Sequence, residues 1–265
     1  MDKKVALCFL ISGSHQLNQE ALWKKWIHAN HDLFHIYFHD DNPLAIHSEW
    51  IRTHLLPPRF TVHTSYYHVV PAYLCLLSFA LHQDPQTQWF CMLTESCVPI
   101  VSPTTFRNRF DAQSNTSLLK WDVAWWNVHF HTRANLAKFS PPLRLAHDPW
   151  FVLTRDHVVA VFHWIKKNPM MGKTICQGGL ANESFFAVAL RHSGILDKPN
   201  SGVINKTSTL TDWARREGPT RPHRFLGRKE DIDIIETLRK QNPEALFLRK
   251  VDASFPEAVL EQFYL

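Results

Sequence analysis

The chain has 265 residues, with 29 Lys+Arg against 24 Asp+Glu for a net charge of +5, and it is 45% hydrophobic and 20% charged. That balance excludes a disordered chain and supplies apolar surface for a sizeable core. No run approaches the ~20 apolar residues of a membrane span, and the basic residues are spread along the chain without an RNP-like aromatic motif, which argues against nucleic acid as partner.

Residues 5–11 form a continuous apolar run closed by Ser12-Gly13, the pattern of a buried parallel strand. The run is shorter than a secretory core and has no small-residue cleavage site, so it predicts a fold strand in a cytoplasmic chain. The five cysteines (Cys8, Cys75, Cys91, Cys97, Cys176) are odd in number and lack CxxC spacing, as expected of reduced thiols. Ala21, Leu22, Trp26 and Ile27, spaced among polar residues, predict a helix within 18–29. Residues 34–38 read as a second strand ending in the turn-rich His39-Asp40-Asp41-Asn42-Pro43, and 61–63 as a short third strand. A helix over 69–82 and a fourth strand over 89–93, running into Thr94-Glu95-Ser96, complete an alternation that predicts a parallel, doubly wound sheet. Ser102 reads as the N-cap of a helix containing 106–110. Residues 111–144 are irregular and aromatic, with Trp121, Trp125, Trp126, Phe130 and Phe139, loop-rich ground that suits a site. Beyond them come a strand over 150–154, a helix over 155–167, a helix over 182–191 with Asn182 as N-cap, a polar connection with basic clusters at Arg215-Arg216 and 221–229, an amphipathic helix over 230–240 and a last strand over 245–250. Without repeat, low-complexity tract or linker, the prediction is one α/β domain spanning 1–265.

In doubly wound sheets, ligands bind beyond the carboxyl ends of the strands. Asp40 and Asp41 sit at such an end, where they either contact a nucleotide's base or ribose or form the turn beside Asn42-Pro43. Glu95 stands where a metal-dependent nucleotide-sugar transferase carries Asp-x-Asp, but one carboxylate makes a poor Mg²⁺ or Mn²⁺ site. Asp231-Ile232-Asp233 has the spacing, yet at a helix start its charge complements the helix dipole. His129-Phe130-His131 lacks a third ligand, so no metal site is predicted. Glu183, before Phe185 and Phe186, reads either as a general base against a sugar hydroxyl or as a helix-start Glu. Arg249-Lys250, at the end of the last strand, read either as a diphosphate holder or as ordinary surface cations. No Gly-x-x-x-x-Gly-Lys, Gly-x-Gly-x-x-Gly or Gly-x-Ser-x-Gly is present, which removes the main support for a kinase, dehydrogenase or serine hydrolase.

Taken in order, residues 4–11 with Trp23 and 36–40, residues 90–110 (FCMLTESCVPIVSPTTFRNRF), 148–155 (DPWFVLTR), 182–186 (NESFF), Thr211-Asp212-Trp213 and 246–252 (LFLRKVD) resemble the core-2/I-branching enzyme and peptide O-xylosyltransferase family of inverting glycosyltransferases. The resemblance implies a GT-A-like fold, a mostly parallel Rossmann-type sheet flanked by helices, with a nucleotide-binding half (1–110) and an acceptor and catalytic half (111–265). It implies transfer from a UDP-sugar to a glycan hydroxyl, giving a β-linkage, with no metal or other cofactor. By the same resemblance Glu183 is the catalytic base, Arg249 and Lys250 hold the donor diphosphate, Asp40 contacts the nucleotide, and Trp150, Asp148 and Glu95 line the sugar and acceptor pocket. The NESFF segment leans toward xylose as the donor sugar, ahead of N-acetylglucosamine and glucuronic acid. Pro149 stands where xylosyltransferase relatives carry an acidic residue, and Asn182 where branching enzymes carry Asp. The chain lacks the membrane anchor of the Golgi members, which points to a cytoplasmic glycan pathway of a large virus or a microbe. Two other readings stay open: a non-catalytic glycan- or nucleotide-binding protein, and a glycoside hydrolase pairing Glu183 with Glu95 or Asp148.

Overall fold

In the computed structural model, which describes residues 2–11 and 13–264, the opening apolar run forms β1 (Lys4–Leu10); Ser12 of the predicted turn lies outside the described residues. α1 (Glu20–His28) packs Leu22, Trp23, Trp26 and Ile27 inward, and Trp23 meets Phe9 edge-on with ring centroids 5.0 Å apart. β2 (Phe34–His39) pairs parallel with β1. After the short α2 (Glu49–Thr53) comes α3 (Val70–Gln83), then β3 (Thr87–Thr94), parallel to β1 on its other side. Alternate residues of β1 enter two different cores: Val5, Leu7 and Phe9 join α1, whereas Ala6, Cys8 and Leu10 join α3. A strand covered on both faces has no solvent side, which is why its sequence is an unbroken apolar run.

The strand predicted over 61–63 does not form. The Val62 amide donates to His39 Nε2 and the Thr64 amide to the Asp41 carboxylate, so side chains take donors that a ladder would need. The place beside Phe38 goes to Leu55 through a single bridge.

Downstream lie β4 (Val98–Pro99), α4 (Pro103–Gln113), β5 (Ser117–Leu118), β6 (Trp121–Val123), β7 (Leu145–His147), β8 (Val152–Thr154), α5 (Arg155–Lys167), α6 (Pro169–Cys176), α7 (Phe185–His192), β9 (Val203–Ile204), β10 (Thr209–Thr211), α8 (Lys229–Gln241), β11 (Phe247–Arg249) and α9 (Glu257–Gln262). Ser102 caps α4 as predicted, its hydroxyl accepting from the Thr105 amide at 3.1 Å. The six-stranded sheet runs β2-β1-β3-β8-β5-β9, flanked by helices. Its β2-β1-β3 and β5-β9 pairings are parallel, but β8 is antiparallel to both neighbours. The irregular segment before β8 is not a helical crossover, so nothing there imposes a parallel return. A second sheet, β10-β11-β4, and the hairpin-like pair β6-β7 stand beside it. Both cores draw on residues from either side of position 110 (Val5 with Leu248, Ala6 with Phe186), so the chain is one mixed α/β domain.

The helix predicted over 182–191 starts later. Leu180 takes a left-handed conformation (φ 53°), residues Ala181–Glu183 form a 3-10 turn, and Ser184 occupies the N-cap position of α7. Asn182 is therefore not the N-cap, and Glu183 is not a residue of α7, because the non-helical Ser184 (φ −143°, ψ −33°) sets the turn apart from the helix.

Candidate active site

The ends of β1, β3 and β11, the loop after β2 and the 213–224 connection converge on one cleft with two chambers. The larger encloses about 620 Å³ and carries Arg221, Arg224, Arg249 and Lys250, with Asp41 and Glu95 opposite in charge. The smaller, about 330 Å³, is walled by Trp121, Trp125, Arg133, Asp148 and Arg216. Trp150, Glu183, Trp213 and Thr220 belong to both walls, so Glu183 stands where the chambers meet.

In the larger chamber Arg249 is held in two ways. Its Nε donates to Thr94 Oγ1 at 3.0 Å, and its guanidinium carbon lies 4.1 Å from the Trp150 ring centroid. Neither terminal nitrogen has a hydrogen-bond partner among the described residues. Burial pushes the Lys250 ammonium pKa down, and Arg249, Arg224 and Arg221 push the same way while Glu95 opposes them. Crowded cations of this kind gain from an anion placed among them. Arg224 is itself tied to Asp252 at 3.3 Å. Arg221 and Arg224 were visible in the sequence only as part of a basic cluster, since nothing local shows that the connection folds back over the cleft.

Glu183 follows the left-handed Leu180, whose amide donates to the Tyr67 carbonyl at 2.9 Å. Its Oε2 accepts from Arg133 Nη1 at 3.3 Å, and the side chain is 25% exposed. Burial raises its pKa above the ordinary carboxylate value, Arg133 opposes the rise and Asp148 adds to it. Burial also lifts Asp148, to about 6, against a hydrogen bond from Thr207 and the charge of Lys120.

The two aspartates after β2 divide the predicted roles between them. Asp40 has no exposed side-chain surface; His15 Nδ1 lies 2.8 Å from Oδ2, and the Asn42 amide donates to Oδ1 at 2.7 Å. It builds the turn; although expected to contact a nucleotide, Asp40 is faced inward by burial, off the cleft lining, and Asp41 is left on the cleft wall. Asp231 is buried, accepting from the Leu226 and Arg228 amides, His223 and Arg215, while Asp233 is exposed. His129 and His131 are exposed. Among the described residues no three His, Cys, Asp or Glu side chains group as metal ligands, and no helix is long and apolar enough to cross a membrane. Arg133 escaped the sequence reading altogether, because one Arg in an aperiodic loop carries no signal.

A family model described as Core-2/I-Branching enzyme matches residues 7–238, a span that includes Glu183, Trp213 and Arg221 and stops before Arg249. By structure the chain is similar to a glycosyltransferase involved in the glycosylation of the major capsid of PBCV-1, at 12% identity and a TM-score of 0.40 over 97% of this chain and 98% of that one. No curated protein matches the chain by sequence.

Proposed function

The chain belongs to the core-2/I-branching enzyme family and is a glycosyltransferase, and from that premise we propose that it moves a sugar from a UDP-sugar to a glycan hydroxyl, with inversion and without a metal ion. The observation that carries this reading is the position of Glu183 at the junction of a cation-lined and a tryptophan-lined chamber. The donor diphosphate occupies the first, against Arg249, Lys250 and Arg221; the acceptor glycan occupies the second, its rings laid on Trp121, Trp125 and Trp213. Glu183 takes the acceptor hydroxyl's proton as that oxygen attacks the anomeric carbon from the face opposite UDP. Positive charge builds on the sugar in an oxocarbenium-like transition state, as in glycoside chemistry generally. Negative charge grows on the departing phosphate, where fixed cations supply the stabilisation a divalent ion would give. An α-linked donor yields a β-linked product. Xylose is the first choice of sugar, on the 182–186 segment, followed by N-acetylglucosamine and glucuronic acid. Five free thiols suit a reducing, cytoplasmic setting.

The deciding experiment is UDP release from these three UDP-sugars in excess EDTA. The expected result is EDTA-resistant release with one donor, slowed at least ~100-fold by Glu183→Gln. Release abolished by EDTA overturns the metal-free mechanism, and release indifferent to Glu183→Gln overturns the base. Glycoside hydrolysis is the second reading, favoured by Asp148 as a neighbouring carboxyl lifted to about 6; glycan cleavage without any nucleotide would establish it, and in that chemistry the four cations have no part.

A further inference from the structure

Ala134 and Asn135 are consecutive non-glycine residues in the left-handed region, both at φ 50°. L-residues disfavour that region, and such strain persists only where surrounding structure enforces it. The enforcement is visible. The Ala134 amide donates to the Gly179 carbonyl at 2.9 Å and Asn135 Nδ2 to the Thr174 carbonyl at 2.8 Å. Gly178 packs so closely that a Cβ there would lie 2.4 Å from the Asn135 nitrogen and 2.6 Å from the Thr132 oxygen. The turn carrying Arg133 is thus fastened to residues 174–179, and those lead through left-handed Leu180 to Glu183.

The side chains continue the arrangement. The Arg133 guanidinium carbon lies 4.9 Å from the Trp125 ring centroid and 5.2 Å from that of Trp126, the two indoles standing edge to face. Arg133 Nη1 then reaches Glu183 Oε2, whereas Oε1 has no hydrogen-bond partner among the described residues.

We propose that Arg133 is the positioning residue of the base: set against two indoles and locked by a strained turn, it holds one oxygen of Glu183 and leaves the other for the acceptor hydroxyl. This rests on the glycosyl-transfer reading. A half-buried carboxylate with no cation would drift toward its neutral form, which cannot accept a proton. Arg133 opposes that drift and Asp148 promotes it; the other charged groups on the chamber walls are Lys120, Asp122 and Arg216 in the smaller and Asp41, Glu95, Arg221, Arg224, Arg249 and Lys250 in the larger. A planar guanidinium can stack and donate at once, which an ammonium cannot.

The test follows the Glu183 carboxyl carbon by ¹³C NMR in the labelled protein, its signal identified by its loss in Glu183→Gln. In Arg133→Met the titration midpoint should rise by about one pH unit, roughly tenfold in acid constant, and Arg133→Lys should keep it near the wild-type value. Trp125→Ala, at a side chain 71% exposed and so dispensable for folding, should move the midpoint the same way by less. In UDP release, Arg133→Met should lower kcat about tenfold on the acid side, with the acid limb displaced upward and the donor KM unchanged. An unmoved Glu183 midpoint in Arg133→Met overturns the proposal, and so does slower release with an unmoved pH profile. If no UDP-sugar gives Glu183-dependent release, the transfer reading fails on its own, while the NMR midpoint still reports whether Arg133 governs Glu183.

Discussion

Two carboxyls beside each other with opposed neighbours define the chemistry at the scale of single residues. Asp148, lifted to about 6 from an ordinary 3.8, binds its proton more tightly in the folded chain than in the unfolded one. Its contribution to stability is therefore complete below about pH 3.8 and is lost as pH rises through about 6. Asp148→Asn, which removes the half-buried charge, should stabilise the protein by on the order of 2 kcal/mol near pH 8 and by almost nothing near pH 3.5, read as thermal midpoints. Because Asp148 also raises the Glu183 pKa, the same variant should shift the acid limb of UDP release downward, opposite to Arg133→Met. A stability gain equal at both pH values would sink this account. Glu183, Arg249 and Lys250 were legible in the sequence, since strand ends and recognisable segments mark them. Asp40 and Asp41 were not separable, because neighbouring residues of a turn face opposite ways and only the packed neighbours decide which faces in.

At the scale of elements, glycine contrasts test the turn that fastens Arg133. Gly172 lies in α6 with nothing nearer its missing Cβ than 3.8 Å, so Gly172→Ala should stabilise by up to ~1 kcal/mol through helix propensity. Gly178→Ala meets backbone at 2.4 Å and should destabilise by ~1–3 kcal/mol, while displacing the Arg133 turn. Equal thermal midpoints for the two variants would contradict the close packing of residues 132–135 on 174–179. Most elements were readable from periodicity and caps: α5 spans its predicted residues and Ser102 caps α4. The misread pieces share one cause. Residues 61–63 looked like a strand, but the Val62 amide goes to His39 and the adjoining Thr64 amide to Asp41, and 182–191 looked like one helix but breaks at Ser184, after a turn that a left-handed Leu180 opens. In both, contacts with distant segments outweighed local propensity.

At the scale of the whole molecule, the cleft draws its walls from both ends of the chain, Leu10 and Asp41 from one and Arg249 and Lys250 from the other. A ligand bridging them binds only the folded state, so UDP at about 100 times its Kd should stabilise the protein by ~2.7 kcal/mol, and with EDTA present. Thermal shift should show this as several degrees, and Lys250→Met should remove most of it at the same UDP concentration. A full shift in Lys250→Met would remove that lysine from the diphosphate site.

Local sequence pattern was enough for β1 as a doubly covered strand, β2, β3, β8 and β11 as strands, α1, α3, α5 and α8 as helices, and the cap on α4. These follow from apolar spacing and capping within segments a few residues long, where backbone geometry alone relates one side chain to the next. Only the tertiary structure decided that β8 runs antiparallel, that Asp40 faces inward while Asp41 lines the cleft, that Arg221 joins Arg249 and Lys250, and that Arg133 meets Glu183 across 50 residues of chain. Burial and long-range pairing belong to the packed whole, because they exist only once the chain has closed and water has been excluded from between its segments.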